Sequence, residues 1–76
     1  MKNSDTVNWN LLLDGRRQTM NLIKQWATGG TTTREVSNGL ANSEFSGQFR
    51  RLVRTHGTTY GRRLARKALR YRGVSI

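Results

Sequence analysis

The sequence predicts a small all-α domain of three to four helices that ends in a strongly basic helix. Apolar residues recur at three- and four-residue steps rather than alternately. Glycines and capping residues punctuate those runs. Basic charge gathers in the last third of the chain, beside no acid.

A chain of 76 residues supports one domain with a small core. Residues 1–8 are polar and read as a flexible N-terminus, 9–72 as a single helical nucleic-acid-binding domain, and 73–76 as a C-terminal tail. From Trp9 to Trp26, and on to Ala27, the apolar residues Trp9, Leu12, Leu13, Met20 and Ile23 keep mostly helical spacing. Asp14-Gly15 can divide this stretch into a short helix and a longer one, because glycine weakens a helix interior. Gly29-Gly30 ends it, with Gly29 suited to a left-handed cap. Thr32 and Glu35 then stand at capping-box spacing and open a short helix to about Leu40, with Val36 and Leu40 on one face. Asn38 and Gly39 loosen its end. Ser43, preceded by Asn42, is the expected N-cap of the next helix.

That helix carries the clearest pattern. Phe45, Phe49, Leu52, Val53 and His56 form one continuous stripe, and at about 100° per residue Gly47, Arg50, Arg51 and Arg54 fall opposite it. His56 ends the stripe and reads as a partly buried packing residue. Gly57 is the stop. Thr58 or Thr59 can cap a last helix, Tyr60 to Arg72, closed by Gly73. In it Tyr60, Leu64, Ala68 and Tyr71 share one arc, and Arg62, Arg63, Arg66 and Arg70 another, with Leu69 near the basic side. Trp9 and Trp26 read as core, whereas Tyr71, between Arg70 and Arg72, is a credible stacking contact.

The net charge of +10 is polarised. Five basic residues and four acids (Asp5, Asp14, Glu35, Glu44) precede Arg50; nine basic residues and no acid follow from there on. Like charges so crowded oppose compaction, and a phosphate backbone relieves them while releasing counterions. Eight of the nine are Arg, whose planar fork suits phosphates and guanine edges better than an ammonium does. Nucleic acid is the expected partner, duplex DNA first and RNA second. A small basic inhibitor docking on an acidic protein surface is a third reading. A core this small would gain from homodimerisation, although no heptad run marks an interface.

Other chemistry is poorly supplied. With no Cys and His56 the single histidine, disulfides, thiolate zinc sites and the usual transition-metal sets are excluded. No nucleophile–base pair or carboxylate dyad stands out, so neither catalysis nor a cofactor is expected. Gly29-Gly30-Thr31 lacks the Lys of a phosphate loop and reads as a turn. No apolar run approaches the roughly twenty residues that span a bilayer, and MKNSDTVNWN lacks the order of a signal peptide. A cytoplasmic protein is expected.

Residues 30–56 have the layout of a helix-turn-helix: a short capped helix, a tight connection, and a longer helix with an apolar underside and a basic outer face. The run Gly30-Thr-Thr-Thr-Arg-Glu-Val-Ser37, then Leu40, then Ser43-Glu-Phe-Ser-Gly-Gln-Phe-Arg-Arg-Leu-Val53 resembles the second and third helices of helix-turn-helix and winged-helix regulators. Leu22-Ile-Lys-Gln-Trp-Ala27 resembles their first helix, so the resemblance covers about residues 20–56. It implies sequence-specific DNA binding by the helix from Ser43 to His56, with its N-terminal residues facing base edges. Ser43, Glu44, Gln48, Arg50, Arg51 and Arg54 are then the candidate reading residues; Gln suits adenine and Arg suits guanine. Arg62, Arg63, Arg66, Lys67, Arg70 and Arg72 form a candidate backbone-gripping arm. A winged-helix version would make residues 58–76 a β-ribbon, which Leu64, Ala65, Ala68 and Leu69 argue against. Small size, high Arg and a single domain suit a transcriptional regulator of phage or plasmid type.

Overall fold

The computed structural model describes Val7, Trp9 and residues 17–40 and 42–76. The helical stretch expected before Arg17, with its break at Asp14-Gly15, lies outside the described residues. Four helices follow: α1 (Arg17–Ala27), α2 (Thr33–Gly39), α3 (Ser43–His56) and α4 (Thr58–Tyr71). No strand occurs among the described residues. The β-ribbon alternative for residues 58–76 is therefore overturned: residues 58–71 bury a helical face against α1 and α3.

Local chemistry sets most of the boundaries. At the end of α1 the Gly30 amide donates to the Gln25 carbonyl at 2.7 Å and the Gly29 amide to the Trp26 carbonyl at 3.1 Å. Gly29 supplies the left-handed φ of +88° that this double bond requires. Thr32 and Glu35 form the capping box: the Glu35 amide donates to Thr32 Oγ1 at 3.1 Å while the Glu35 carboxylate accepts from the Thr32 amide. α3 starts one residue earlier than expected in its capping, because Asn42 rather than Ser43 is the N-cap; its Oδ1 accepts from the Phe45 amide at 2.8 Å. Ser43 is already helical.

Gly57 joins α3 directly to α4. Its φ of +89° with ψ of 163° lies in a region open essentially to glycine alone, so one residue both ends a helix and turns the chain. Neither Thr58 nor Thr59 caps α4: both are inside it, and no side chain bonds its first turn. Gly73, again at φ +89°, closes α4 with the same pair of bonds as Gly29, from Val74 to Leu69 and from Gly73 to Arg70.

The core holds Ile23, Trp26 and Ala27 from α1, Val36 and Leu40 around α2, Phe45, Phe49 and Leu52 from α3, and Ala65 and Leu69 from α4. Val7, from the segment read as a polar N-terminus, is buried with them. Trp26 and Phe49 meet edge-on at 4.7 Å between centroids, and Trp9 meets Phe45 at 6.1 Å. The Trp26 indole N–H, which burial would otherwise leave costly, donates to Thr33 Oγ1 at 3.0 Å and ties α1 to α2.

The inward face of α4 is not the one the spacing suggests. Gly61, Ala65 and Leu69 are buried, whereas Tyr60 is 45% and Tyr71 87% exposed, and Leu64 and Ala68 are half-buried. The reason is room for Trp26. A Cβ on Gly61 would stand 3.2 Å from Trp26 Cη2 and 3.7 Å from Leu52 Cδ2, so the smallest residue lets α4 approach the bulkiest.

Candidate nucleic-acid interface

α3 is held by its apolar underside and by its neighbour. Phe45, Phe49 and Leu52 are fully buried, and Ser46 Oγ donates to the Ser37 carbonyl at 3.3 Å, fixing α3 against α2. With that face inward, Ser43, Glu44, Gly47, Arg50, Arg51 and Arg54 are exposed. Gly47 sits at the middle of this outer face, with Ser43, Glu44, Arg50 and Arg51 three or four residues to either side. Gln48 is half-buried on a flank, its amide 3.4 Å from Glu44 Oε2, and is less outward than its neighbours.

Gly47 has no explanation within the fold. Its φ is not positive, and a Cβ there would meet nothing within 4 Å. A mid-helix glycine costs about 1 kcal/mol against alanine, and no close approach among the described residues requires one here.

The basic residues of α4 do not all face outward, and here the expectation of one backbone-gripping arm is corrected. Arg62 and Arg66 are half-buried and turn to α1. Arg62 Nε donates to the Trp26 carbonyl at 2.8 Å and its Nη2 to the Thr31 carbonyl at 3.0 Å; Arg66 Nη1 donates to the Ala27 carbonyl at 2.7 Å. The Trp26 and Ala27 carbonyls belong to the negative end of the α1 dipole, which attracts cations; that of Thr31 lies in the connection to α2. The division follows from the inward Gly61–Ala65–Leu69 face, since the following residues Arg62 and Arg66 border it on the α1 side. Arg63, Lys67 and Arg70 remain on the exposed face, and Arg72 is half-buried.

Charge on the two outer faces is not neutralised from within. Arg50, Arg51 and Arg54 on α3, and Arg63, Lys67 and Arg70 on α4, make no hydrogen bond or ion pair among the described residues. The described acids are engaged elsewhere: Glu35 accepts from Thr31 Oγ1 and Thr32, and Glu44 faces Gln48. Hydrogen bonding from Thr31, then from the Thr32 backbone, holds the Glu35 carboxyl below its ordinary value of 4.5.

Two depressions border α4. One, of about 270 Å³, is lined by Trp9, Leu64, Ala68 and Tyr71 with Lys67 and Arg72 at its edge. The other, of about 410 Å³, lies at the α3–α4 elbow, among His56, Gly57, Thr58, Thr59, Tyr60, Arg63 and Arg66. Sequence reasoning missed the elbow and the anchoring role of Arg62 and Arg66. The row Gly61, Ala65, Leu69, at four-residue steps, was the available signal for which face turns inward. Among the described residues, no group of three or more His, Asp or Glu could hold a metal, and no helix is long and apolar enough to cross a membrane. Comparison with known protein families, curated proteins and solved structures finds no match.

Proposed function

We propose that the chain is a sequence-specific DNA-binding regulator that reads duplex DNA with α3 and holds the phosphate backbone with the outer face of α4, acting in the cytoplasm. One observation carries this: a glycine the fold does not need sits at the centre of an exposed helix face, among Arg50, Arg51 and Arg54. At that position the absent side chain serves only something approaching from outside. An α-helix about 10–12 Å across fits the major groove, about 12 Å wide, most closely where its surface is lowest. Around the glycine, unpaired guanidinium forks can reach guanine edges or phosphates. On this reading α2 and α3, which follow one another in the chain, act as the two helices of a helix-turn-helix, and α3 is the one that enters the groove.

A second reading, RNA binding, is favoured by Tyr71: it is 87% exposed between Arg70 and Arg72, an aromatic platform for an unstacked base. Selection from random duplex DNA and random RNA pools, in parallel at 0.2 M salt (a working condition of roughly physiological strength), separates the two. Enrichment of one duplex motif supports the first reading. Enrichment of an RNA loop with no duplex motif replaces it with the second, and uniform recovery of both pools overturns both.

A further inference from the structure

We propose that the elbow between α3 and α4 is a phosphate site that anchors one backbone phosphodiester of the bound duplex, an inference that rests on the DNA-binding reading and deepens it. The depression of about 410 Å³ is lined by residues that carry donors: Thr58, Thr59 and Tyr60 with hydroxyls, and Arg63 and Arg66 with guanidinium groups. No acid lines it. Among the described residues Arg63 has no hydrogen-bond or ion-pair partner, and Arg66 commits Nη1 to the Ala27 carbonyl while the rest of its fork makes no further bond there. The two threonine hydroxyls stand where capping residues are expected, yet neither caps the helix. His56 and Tyr60, with ring centroids 5.3 Å apart, form the wall beside them.

Residues bearing guanidinium and hydroxyl donors, gathered without a carboxylate, suit a tetrahedral anion, because charge-assisted bonds to phosphate are short and strong. Position adds to the chemistry. The elbow lies at the C-terminal end of α3, while base contacts from a helix of this kind come from its N-terminal part. A phosphate held there sets the register of α3 on the duplex without carrying sequence choice. Gly57, at φ +89°, makes the turn that sets the depression directly after α3.

Inorganic phosphate titrated into the intact chain at low ionic strength, followed by backbone amide chemical shifts, tests the site without any DNA. Saturable shifts centred on Thr58, Thr59, Tyr60 and Arg63 are expected. Arg63→Gln, at an exposed residue with no hydrogen bond or ion pair among the described residues, should keep the fold and weaken phosphate about tenfold, as loss of one charge-assisted hydrogen bond implies. Small shifts spread evenly over Arg50, Arg51, Arg54, Lys67 and Arg70 would overturn the site. Duplexes with and without a 5′-phosphate settle the source: equal affinity supports a backbone phosphodiester, and a requirement for the terminal phosphate overturns it. Because the phosphate titration contains no duplex, a chain that selects no DNA sequence yet binds phosphate at the elbow would sink the proposed function and leave the site standing.

Discussion

Arg62 engages Trp26 twice: its guanidinium carbon lies 5.6 Å from the centroid of the Trp26 ring, and its Nε donates to the backbone carbonyl of that same residue at 2.8 Å. A cation thus covers the indole and satisfies the end of the helix that carries it. With Arg66 on Ala27, each of the last four carbonyls of α1 has a partner, Lys24 from Thr28 and Gln25 from Gly30 completing the set. Basic residues that a charge count assigns to a ligand are here part of the fold.

Arg62→Gln should therefore destabilise the domain by about 1.5–3 kcal/mol, the range for hydrogen bonds to a charged group. Arg63→Gln, one residue away but exposed, should stay within about 0.5 kcal/mol of the parent. Urea midpoints at unchanged slope measure both. Equal stability of the two variants would show that the contact with Trp26 contributes nothing.

Gly47→Ala should act in opposite directions on stability and binding. The fold should gain up to about 1 kcal/mol, because alanine is the better helix former and meets open space. Duplex affinity should fall, since the added methyl holds the helix surface off the groove. A thermal melt and a binding isotherm on the same sample check this; a variant both more stable and equally tight would remove the functional reason for the glycine.

Base reading and backbone holding should separate by residue. Arg51→Ala should cost about 1–3 kcal/mol and relax preference at one base pair. Arg63, Lys67 and Arg70 together changed to Gln should instead weaken all duplexes alike and reduce the slope of log K against log salt by roughly two to three, at about 0.9 per phosphate. If the triple variant loses sequence preference at an unchanged slope, α4 reads and α3 holds.

Stability should fall in acid partly through Glu35. Its carboxyl, lowered from 4.5 by Thr31 and Thr32, is more acidic folded than unfolded. The contribution is present above the unfolded value and is lost as pH drops through the lower, folded one. Melting temperatures from pH 6 down to pH 3, a range chosen to bracket the ordinary carboxylate region, should decline less steeply for Glu35→Gln than for the parent. Parallel curves would mean that the capping box does not favour the ionised form.

What the sequence by itself determined is mostly local. Gly29, Gly57 and Gly73 end helices where they stand, Thr32 and Glu35 open α2, and the Phe45–Phe49–Leu52 stripe fixes which side of α3 is outward. Those signals act over three or four residues, so a neighbour in sequence is the neighbour in space. Tertiary structure alone decided the orientation of α4. Its pattern offers two faces, Tyr60–Leu64–Ala68–Tyr71 and Gly61–Ala65–Leu69, and the first is the larger. The second is buried where Gly61 lets α4 close on Trp26 and Leu52, since a Cβ there would crowd Trp26 at 3.2 Å. That choice also turns Arg62 and Arg66 to α1 and leaves Arg63, Lys67 and Arg70 outside. Hydrophobicity ranks residues singly, whereas the shape of a close-packed core depends on partners far along the chain.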